Sequence, residues 1–158
     1  DDNGTISGLK YTDEEEFVLI REMERSIIPL VTYSIERIQL TNDKEVLIFH
    51  IPESENKPHK LENGAIYVRH KDQSIQASKE IREILKGIRK DKDLRFNYGD
   101  KERLLMEYLN NNTTITLSKF AEIAKINRKI ASRTIVLMTL TNVLNYEARE
   151  DEDIFFLN

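Results

Sequence analysis

The sequence contains no cysteine, so it can form neither a disulfide bond nor a zinc site with thiolate ligands. No apolar run approaches the roughly 18 residues that a membrane-spanning helix needs. No positively charged segment followed by an apolar one opens the chain, as it does in a secretory signal peptide. Together these absences favour a soluble protein that works in a reducing compartment, and we expect a cytoplasmic location.

The sequence also lacks an excess of basic residues. Its formal net charge is -4; residues 1–100 hold 16 Lys and Arg against 20 Asp and Glu, and residues 101–158 hold eight of each kind. Because neutralised phosphates supply most of the affinity of general polyanion binders, this balance argues against such a protein. Neither half of the chain is a basic module.

Recognisable motifs for catalysis, metal binding or nucleotide binding are absent as well. No Gly-rich loop ends in Lys-Ser or Lys-Thr, and the three histidines, His50, His59 and His70, do not have the spacing of a zinc site. The acidic run Glu14–Glu16 falls on one predicted helix, where neighbouring side chains point about 100° apart and do not converge on a metal. The sequence therefore predicts no cofactor, no metal and no catalytic residue.

The first part of the chain predicts helices and strands in an α+β order. Two apolar, β-branched runs, Glu45–Ile51 and Gly64–His70, are predicted strands on either side of a polar loop. The order of elements indicates a mixed or antiparallel sheet with flanking helices. Further elements are predicted in this part: strands at 5–9 and 31–40, and helices at 13–28 and from Ser78 onwards.

The helix predicted from Asp13 to Ile28 has a clear amphipathic pattern. Thr12 is a good N-cap and Glu15 its capping-box partner, while Pro29 stops the helix. Four apolar residues at helical spacing are predicted to face inward: Phe17, Ile20, Met23 and Ile27.

A stretch of mixed charge with Gly87 and Gly99 predicts a domain boundary near residue 95, which gives domains 1–95 and 96–158. The elements predicted beyond it are helices at 101–109, 119–125 (capped by Ser118) and 128–139, a short strand at 114–116, and strands at 143–147 and 154–157 around a charged tip.

This order of elements resembles a winged helix-turn-helix domain, in which a recognition helix enters the major groove of DNA. Arg can pair with guanine edges and Lys with phosphates. The tip Glu150–Asp153 is acidic where a DNA-reading wing carries Lys or Arg, so a purely structural or protein-docking role stays open. The DNA contacts that the resemblance implies are Asn127, Arg128, Lys129, Ser132 and Arg133.

Residues 1–90 resemble the Schlafen-type AlbA-like domain. Bacterial members of that family are described as DNA-binding or ATP-binding (divergent AAA) regulators related to helicases, and they often carry a winged helix behind the domain. The segments that carry the resemblance are, in order, Asp2-Asn3-Gly4-Thr5-Ile6-Ser7-Gly8-Leu9, Ile28-Pro29, Glu45-Val46-Leu47-Ile48-Phe49-His50-Ile51-Pro52-Glu53-Ser54, Lys57-Pro58-His59 and Ile66-Tyr67-Val68-Arg69-His70, with Ser74 and Ala77 after them.

The sequence departs from this family at its start. The upstream helix with paired glutamates and the Gly-Gly strand are absent, so we expect an N-terminally truncated domain. Some animal Schlafen relatives cleave RNA with two such glutamates and an aspartate that maps near Asp1 or Asp2. Without the glutamates no carboxylate cluster holds a metal, and no nuclease activity is expected from these residues.

Four further residues are candidate contacts in the first domain: Lys57, His59, Arg69 and Lys71. Arg69 could form a phosphate-binding patch with Lys57 and Lys71, or it could be an exposed residue at a strand end that pairs with Glu53 or Glu55. His59 is either a functional contact or a structural hydrogen bond that fixes its loop. Along the strand, Tyr67 and Arg69 are predicted on one face and Val68 on the other.

The leading hypothesis is a bacterial, cytoplasmic DNA-binding transcriptional regulator without catalytic activity. A homodimer is expected, because one short recognition helix in a neutral domain offers few phosphate contacts. Two alternatives stay open: a protein-interaction or oligomerisation module without nucleic acid, and a fragment of a Schlafen-like nuclease or helicase-related ATP-binding protein. The leading hypothesis requires that the cationic face of the helix at 128–139 be open to solvent.

Overall fold

A computed structural model describes residues 6–88 and 97–158 of the chain. By packing, the chain divides into two compact units, Asp1–Gly64 (unit 1) and Ala65–Asn158 (unit 2). The domain boundary predicted near residue 95 lies outside the described residues, as do Asp1 and Asp2. Across the described residues, no helix is long and apolar enough to span a membrane.

Unit 1 is built from one helix and short antiparallel strands. Its elements are α1 (Thr12–Ser26), β1 (Ile27–Ile28), β2 (Ser34–Thr41), β3 (Lys44–His50) and β4 (Lys60–Leu61). β2 and β3 form a hairpin with its turn at Asn42-Asp43, and β1 pairs with β4. The strand predicted at 5–9 is reduced, in its described part, to a single bridge between Leu9 and Glu45.

Helix α1 begins without the predicted capping box. Tyr11 is its N-cap residue, and the Tyr11 carbonyl accepts the backbone N–H of Glu15, with no side chain capping the helix. The prediction of Thr12 as N-cap is wrong because Thr12 is the first helical residue and its side chain is buried. The acids Asp13 to Glu15 still lie in the first turn, where the helix dipole favours negative charge.

The predicted inward face of α1 is wrong at Phe17, which is 64% exposed. The helix instead turns Glu16 towards the β2–β3 hairpin, where Glu16 and Asp13 both accept hydrogen bonds from Arg37, at 2.8 and 2.7 Å. Phe17 lies on the outer side, with the Arg21 guanidinium 5.8 Å from its ring centroid. An ion pair, rather than an aromatic ring, thus joins α1 to the strand.

Unit 1 buries almost none of its apolar residues. Among its described residues only Thr12 is buried, and no apolar side chain reaches that state. Each Å² of apolar surface left in water forgoes about 25 cal/mol of stabilisation, so burial of apolar side chains contributes little to the stability of unit 1. The large apolar residues exposed here are Ile6, Tyr11, Phe17, Val18, Leu19, Ile28, Leu30, Ile38, Leu40 and Ile51.

Unit 2 combines a hairpin, four helices and a three-stranded sheet. Its elements are β5 (Tyr67–His70), β6 (Gln73–Gln76), α2 (Lys79–Ile88), α3 (Asp100–Asn111), β7 (Ile115–Thr116), α4 (Leu117–Ile123), α5 (Arg128–Leu140), β8 (Leu144–Glu147) and β9 (Ile154–Leu157). β5 and β6 pair antiparallel; the sheet has the antiparallel order β7-β9-β8. Strand β6 was not predicted, whereas the elements predicted after Asp100 are confirmed in kind and order. Helices with small antiparallel sheets confirm the α+β class.

The core of unit 2 lies between its helices and the three-stranded sheet. Its fully buried side chains include Leu105, Phe120, Ile135, Met138 and Phe155. Ile84 of α2 belongs to the same cluster, and a Cβ atom on Gly87 would lie only 2.6 Å from Leu140 Cδ1 of α5. Helix α2 therefore packs closely on α5, although the sequence analysis grouped it with residues 1–95.

Candidate nucleic-acid interface

The turn between α4 and α5 is shaped by side-chain caps and one left-handed residue. Thr116 caps α4 by accepting the Lys119 backbone N–H at 3.2 Å, so the cap predicted at Ser118 is two residues too late. Lys125 adopts a φ of +50° in the turn. Asn127 then caps α5, because its Oδ1 accepts the Ile130 N–H at 2.9 Å. Asn127, a predicted DNA contact, thus has a structural task at the helix start.

The predicted contacts on α5 do not all share one face. Arg128, Lys129 and Arg133 are exposed, whereas Ser132 is 4% exposed and its hydroxyl donates to Glu80 Oε1 at 2.6 Å. The prediction of Ser132 as a contact therefore fails, because α2 covers that side of α5. Nothing in the local sequence of α5 signals this cover, since Ser132 is polar and stands beside Arg133.

Lys129 and Arg133 form the open cationic part of α5. They lie four residues apart, the spacing at which helical side chains are neighbours. Neither side chain forms a hydrogen bond or ion pair with any residue that the structure describes, and Ile130 lies exposed beside them. Arg133 and Ile130 also line a shallow groove of about 300 Å³ together with Lys101 of α3. This surface presents two free cations around an apolar side chain.

Arg128 stands apart from this pair, at the first position of α5. Its Nη1 donates to Ser118 Oγ at 2.9 Å, and its Nη2 lies 4.0 Å from Glu152 Oε1. The side chain nevertheless remains 65% exposed. Arg128 is thus directed towards the start of α4 and the loop between β8 and β9, residues 148–153.

Two of the four acids in the β8–β9 loop point inward. Glu152 accepts the Ser118 backbone N–H at 2.8 Å, and the buried Asp153 accepts the Arg149 N–H at 3.2 Å. Burial alone would raise the pKa of Glu152, but hydrogen bonds from Ser118 and Thr116 and the charge of Arg128 outweigh it and lower that pKa. The β8–β9 loop therefore presents less negative charge to solvent than its sequence indicates.

The β5–β6 hairpin carries two of the remaining candidates, Arg69 and Lys71. Arg69 donates to Ser74 Oγ at 3.0 Å and to the Lys71 carbonyl at 3.2 Å, so its guanidinium is held within the hairpin. Tyr67 and Arg69 are exposed on one face while Val68 is partly buried, as predicted. Lys71 is exposed in the turn, with a φ of +52°.

The other two candidates belong to unit 1. Lys57 forms an ion pair with Glu53, and this pairing lowers the pKa of the Glu53 carboxyl. His59 Nδ1 lies 2.7 Å from the Pro29 carbonyl oxygen, which can only accept, so Nδ1 carries the hydrogen. That bond links two segments in which Pro29 and Pro58 both follow cis peptide bonds. The His59 geometry matches the structural alternative, although its Nε2 is buried and has no hydrogen-bond partner among residues 6–88 and 97–158.

The described residues contain no group of three His, Asp or Glu side chains that could hold a metal ion. The predicted phosphate patch of Lys57, Arg69 and Lys71 draws on both units, since Lys57 lies in unit 1 and the other two in unit 2. The geometry therefore singles out Lys129 and Arg133 as the free cations among the predicted contacts of α5.

Comparison with known proteins gives one family match. Residues 1–78 match the family model described as Schlafen, AlbA_2. No curated protein and no solved structure matches the chain. A domain of this kind is compatible with nucleic-acid binding. The match supports, over residues 1–78, the Schlafen-type AlbA-like domain that the sequence analysis expected there.

Proposed function

We propose that the chain is a DNA-binding regulator in which an AlbA-like domain, residues 1–95, precedes a winged helix at 96–158. The order α3, β7, α4, α5, β8, β9, with the sheet order β7-β9-β8, supports this assignment of the second domain. α5 is then the recognition helix and β8–β9 the wing. The resemblance to bacterial regulators supports a role in transcription in the cytoplasm.

The observation that carries the proposal is the open, unpaired state of Lys129 and Arg133 on α5. In the major groove an Arg side chain reads guanine through two hydrogen bonds, and a nearby Lys neutralises a phosphate. Ile130, exposed beside them, is suited to contact a thymine methyl group. Arg128 is a further contact at the edge of this surface, and Ser132 takes no part.

The candidates outside α5 are secondary in this proposal. Lys57, Arg69 and Lys71 remain exposed, so each can still approach a phosphate. All three also hold local bonds or turn positions, which accounts for them without a ligand. We therefore expect them to contribute less to DNA affinity than Lys129 and Arg133.

The proposal is tested with Lys129→Ala/Arg133→Ala and a mixed-sequence DNA duplex, by fluorescence anisotropy at several salt concentrations. The two lost contacts are expected to weaken binding at least tenfold, and loss of the Lys129–phosphate contact should reduce the slope of log K against log salt by about one. The matched control, Lys10→Ala/Lys86→Ala, removes the same charge from exposed lysines without a described partner. Equal affinities and slopes for the two double variants would reject α5 as the DNA-contacting element.

A second function, self-association through unit 1, is favoured by the lack of buried apolar side chains there. Strand β2 has one edge without a partner among the described residues, and such an edge can pair with a second copy. An antiparallel pairing centred on Ile38 would place Arg37 opposite Gln39, so no like charges would meet. We therefore propose a homodimer, which would also present two recognition helices to DNA.

A further inference from the structure

We propose that Glu152 restrains DNA binding because its carboxylate occupies, next to Arg128, the position that a DNA phosphate would take. The inference rests on the proposed contact between α5 and DNA. The acidic β8–β9 loop then limits the affinity for DNA through one residue. The number of negative charges in the loop does not predict this effect.

The groups around the Glu152 carboxylate are those that bind phosphate oxygens in protein–DNA complexes. They are a backbone N–H of Ser118 at 2.8 Å from Oε1, the hydroxyl groups of Ser118 and Thr116, and the Arg128 guanidinium at 4.0 Å. Arg128 Nη1 in turn donates to Ser118 Oγ. The carboxylate thus satisfies donors at the start of α4 and partly neutralises Arg128.

The surroundings of Arg128 add to this effect. Arg128 and Glu152 line a cavity of about 210 Å³, and the charged residues in its wall also include Glu80, Arg149, Glu150, Asp151 and Asp153. A phosphate that approached Arg128 here would meet the charge of Glu152 at close range. The lowered pKa of Glu152 keeps that charge in place at neutral pH. Arg128 therefore contributes less to phosphate binding than its exposure suggests.

Glu152 differs in this respect from the acids beside it. Glu150 and Asp151 are exposed and form no hydrogen bond or ion pair within the described parts of the chain. Both line the same cavity as Arg128, but neither is held against it by a hydrogen bond or ion pair, and salt screens such exposed charges over about 8 Å under physiological conditions. Neutralising Glu152 and neutralising Glu150 should therefore have different effects, although both remove one negative charge.

The experiment compares Glu152→Gln with the matched control Glu150→Gln in DNA binding by the whole chain. A Gln side chain keeps the size of Glu152 and can still accept the Ser118 N–H. Because unit charges 4 Å apart interact by about 1 kcal/mol in water, Glu152→Gln should bind a mixed-sequence duplex about fivefold more tightly. The salt slope should rise by about one, since Arg128 becomes available to a phosphate. Glu150→Gln should change the affinity less than about twofold.

Arg128→Ala in the Glu152→Gln background should abolish the gain, whereas a gain that persists would overturn the inference. Equal affinities of Glu152→Gln and Glu150→Gln would also overturn it. In that case the proposed function survives if wild-type binding still depends on Lys129 and Arg133. Absence of DNA binding by every variant would instead reject the proposed function and this inference with it.

A second variant, Glu152→Asp, provides the test if Glu152→Gln does not fold. The melting temperatures of both variants show whether each one folds. Glu152→Asp keeps the charge but withdraws it by one methylene group from Ser118 and Arg128. We expect an intermediate gain in affinity from it. No gain from a folded Glu152→Asp, together with an unfolded Glu152→Gln, would count against the inference.

Discussion

Neighbouring polar residues on α5 have different roles, which their sequence does not distinguish. Ser132 is buried and bonded to Glu80, while Arg133 at the next position is exposed and unpaired among the described residues. The sequence places the start of α5 correctly and predicts an inward face that consists of Ile130, Ala131, Thr134, Ile135 and Leu137. Ala131, Thr134 and Ile135 are buried, whereas the prediction is wrong at Ile130, which is 40% exposed. It does not predict Ser132 burial, because that depends on α2, which lies about 50 residues earlier in the chain.

Glu102 offers a test of a single carboxyl group through pH. Its Oε2 accepts the Gly99 N–H at 3.0 Å and Lys101 Nζ lies 2.9 Å from Oε1, in a buried side chain. Burial alone would raise the pKa of Glu102, but the hydrogen bonds and the charge of Lys101 lower it. A lowered folded-state pKa stabilises the protein above the unfolded pKa of about 4.3, and this contribution is lost as pH falls through the folded pKa.

We therefore expect Glu102→Gln to reduce the free energy of unfolding at pH 7 by about 1 kcal/mol, because the ionised carboxylate is the favoured form. The difference from wild type should shrink as pH falls below about 4. Urea unfolding of both proteins across this range measures it. Glu107→Gln, which alters an exposed carboxylate paired with Arg103, is the control with a smaller expected loss. A difference between Glu102→Gln and wild type that grows towards low pH would contradict the assignment.

Periodicity predicts the elements of this chain better than it predicts which side of each element is covered. Helix α1 has nearly the predicted bounds, yet Glu16 rather than Phe17 faces the hairpin because Arg37 on β2 offers it an ion pair. In α5 the predicted inward face is correct at Ala131 and Ile135 but wrong at Ile130, which is exposed. In both helices, a partner residue that is distant in the chain determines which side is covered. A single sequence does not show that partner.

The packing of α2 on α5 gives a prediction at the level of elements. Ser132→Ala removes the hydroxyl that donates to Glu80, so a partly buried carboxylate loses a hydrogen bond. We expect the free energy of unfolding to fall by about 1–2 kcal/mol, measured by urea titration, with DNA affinity unchanged within about twofold. Arg133→Ala is the matched control. It should reduce the affinity for DNA and leave the free energy of unfolding unchanged. If Ser132→Ala were as stable as wild type but bound DNA more weakly, Ser132 would be a DNA contact.

At the scale of the whole molecule, the α+β class and the AlbA-like region could be predicted, but the division of the core could not. Among the residues that the structure describes, every buried apolar one lies in unit 2, and the packing boundary falls at residue 64, inside the segment that matches the family model. Composition gives the total amount of apolar residues but not where they are buried. The exposed apolar surface of unit 1 is the main feature that sequence reasoning missed.

Self-association through unit 1 is tested with Ile38→Lys, which places a charge at the centre of the proposed β2 pairing. Ile38 is 41% exposed, so the substitution should leave the fold intact. Analytical ultracentrifugation should show a dimer for wild type and a monomer for Ile38→Lys. Ile88→Lys, at an exposed apolar residue of unit 2, is the control and should remain dimeric. A monomeric wild type, or an Ile38→Lys variant that still dimerises, would reject this interface.

The central claim is that DNA meets the chain at the open face of α5. Its most direct test is a titration of isotope-labelled protein with a DNA duplex, followed by the chemical shifts of the backbone amide groups in NMR spectra. The largest changes are expected from Asn127 to Arg133, with smaller ones in the β8–β9 loop. Unchanged amide shifts along α5, or the largest shifts in a different part of the chain, would contradict the account.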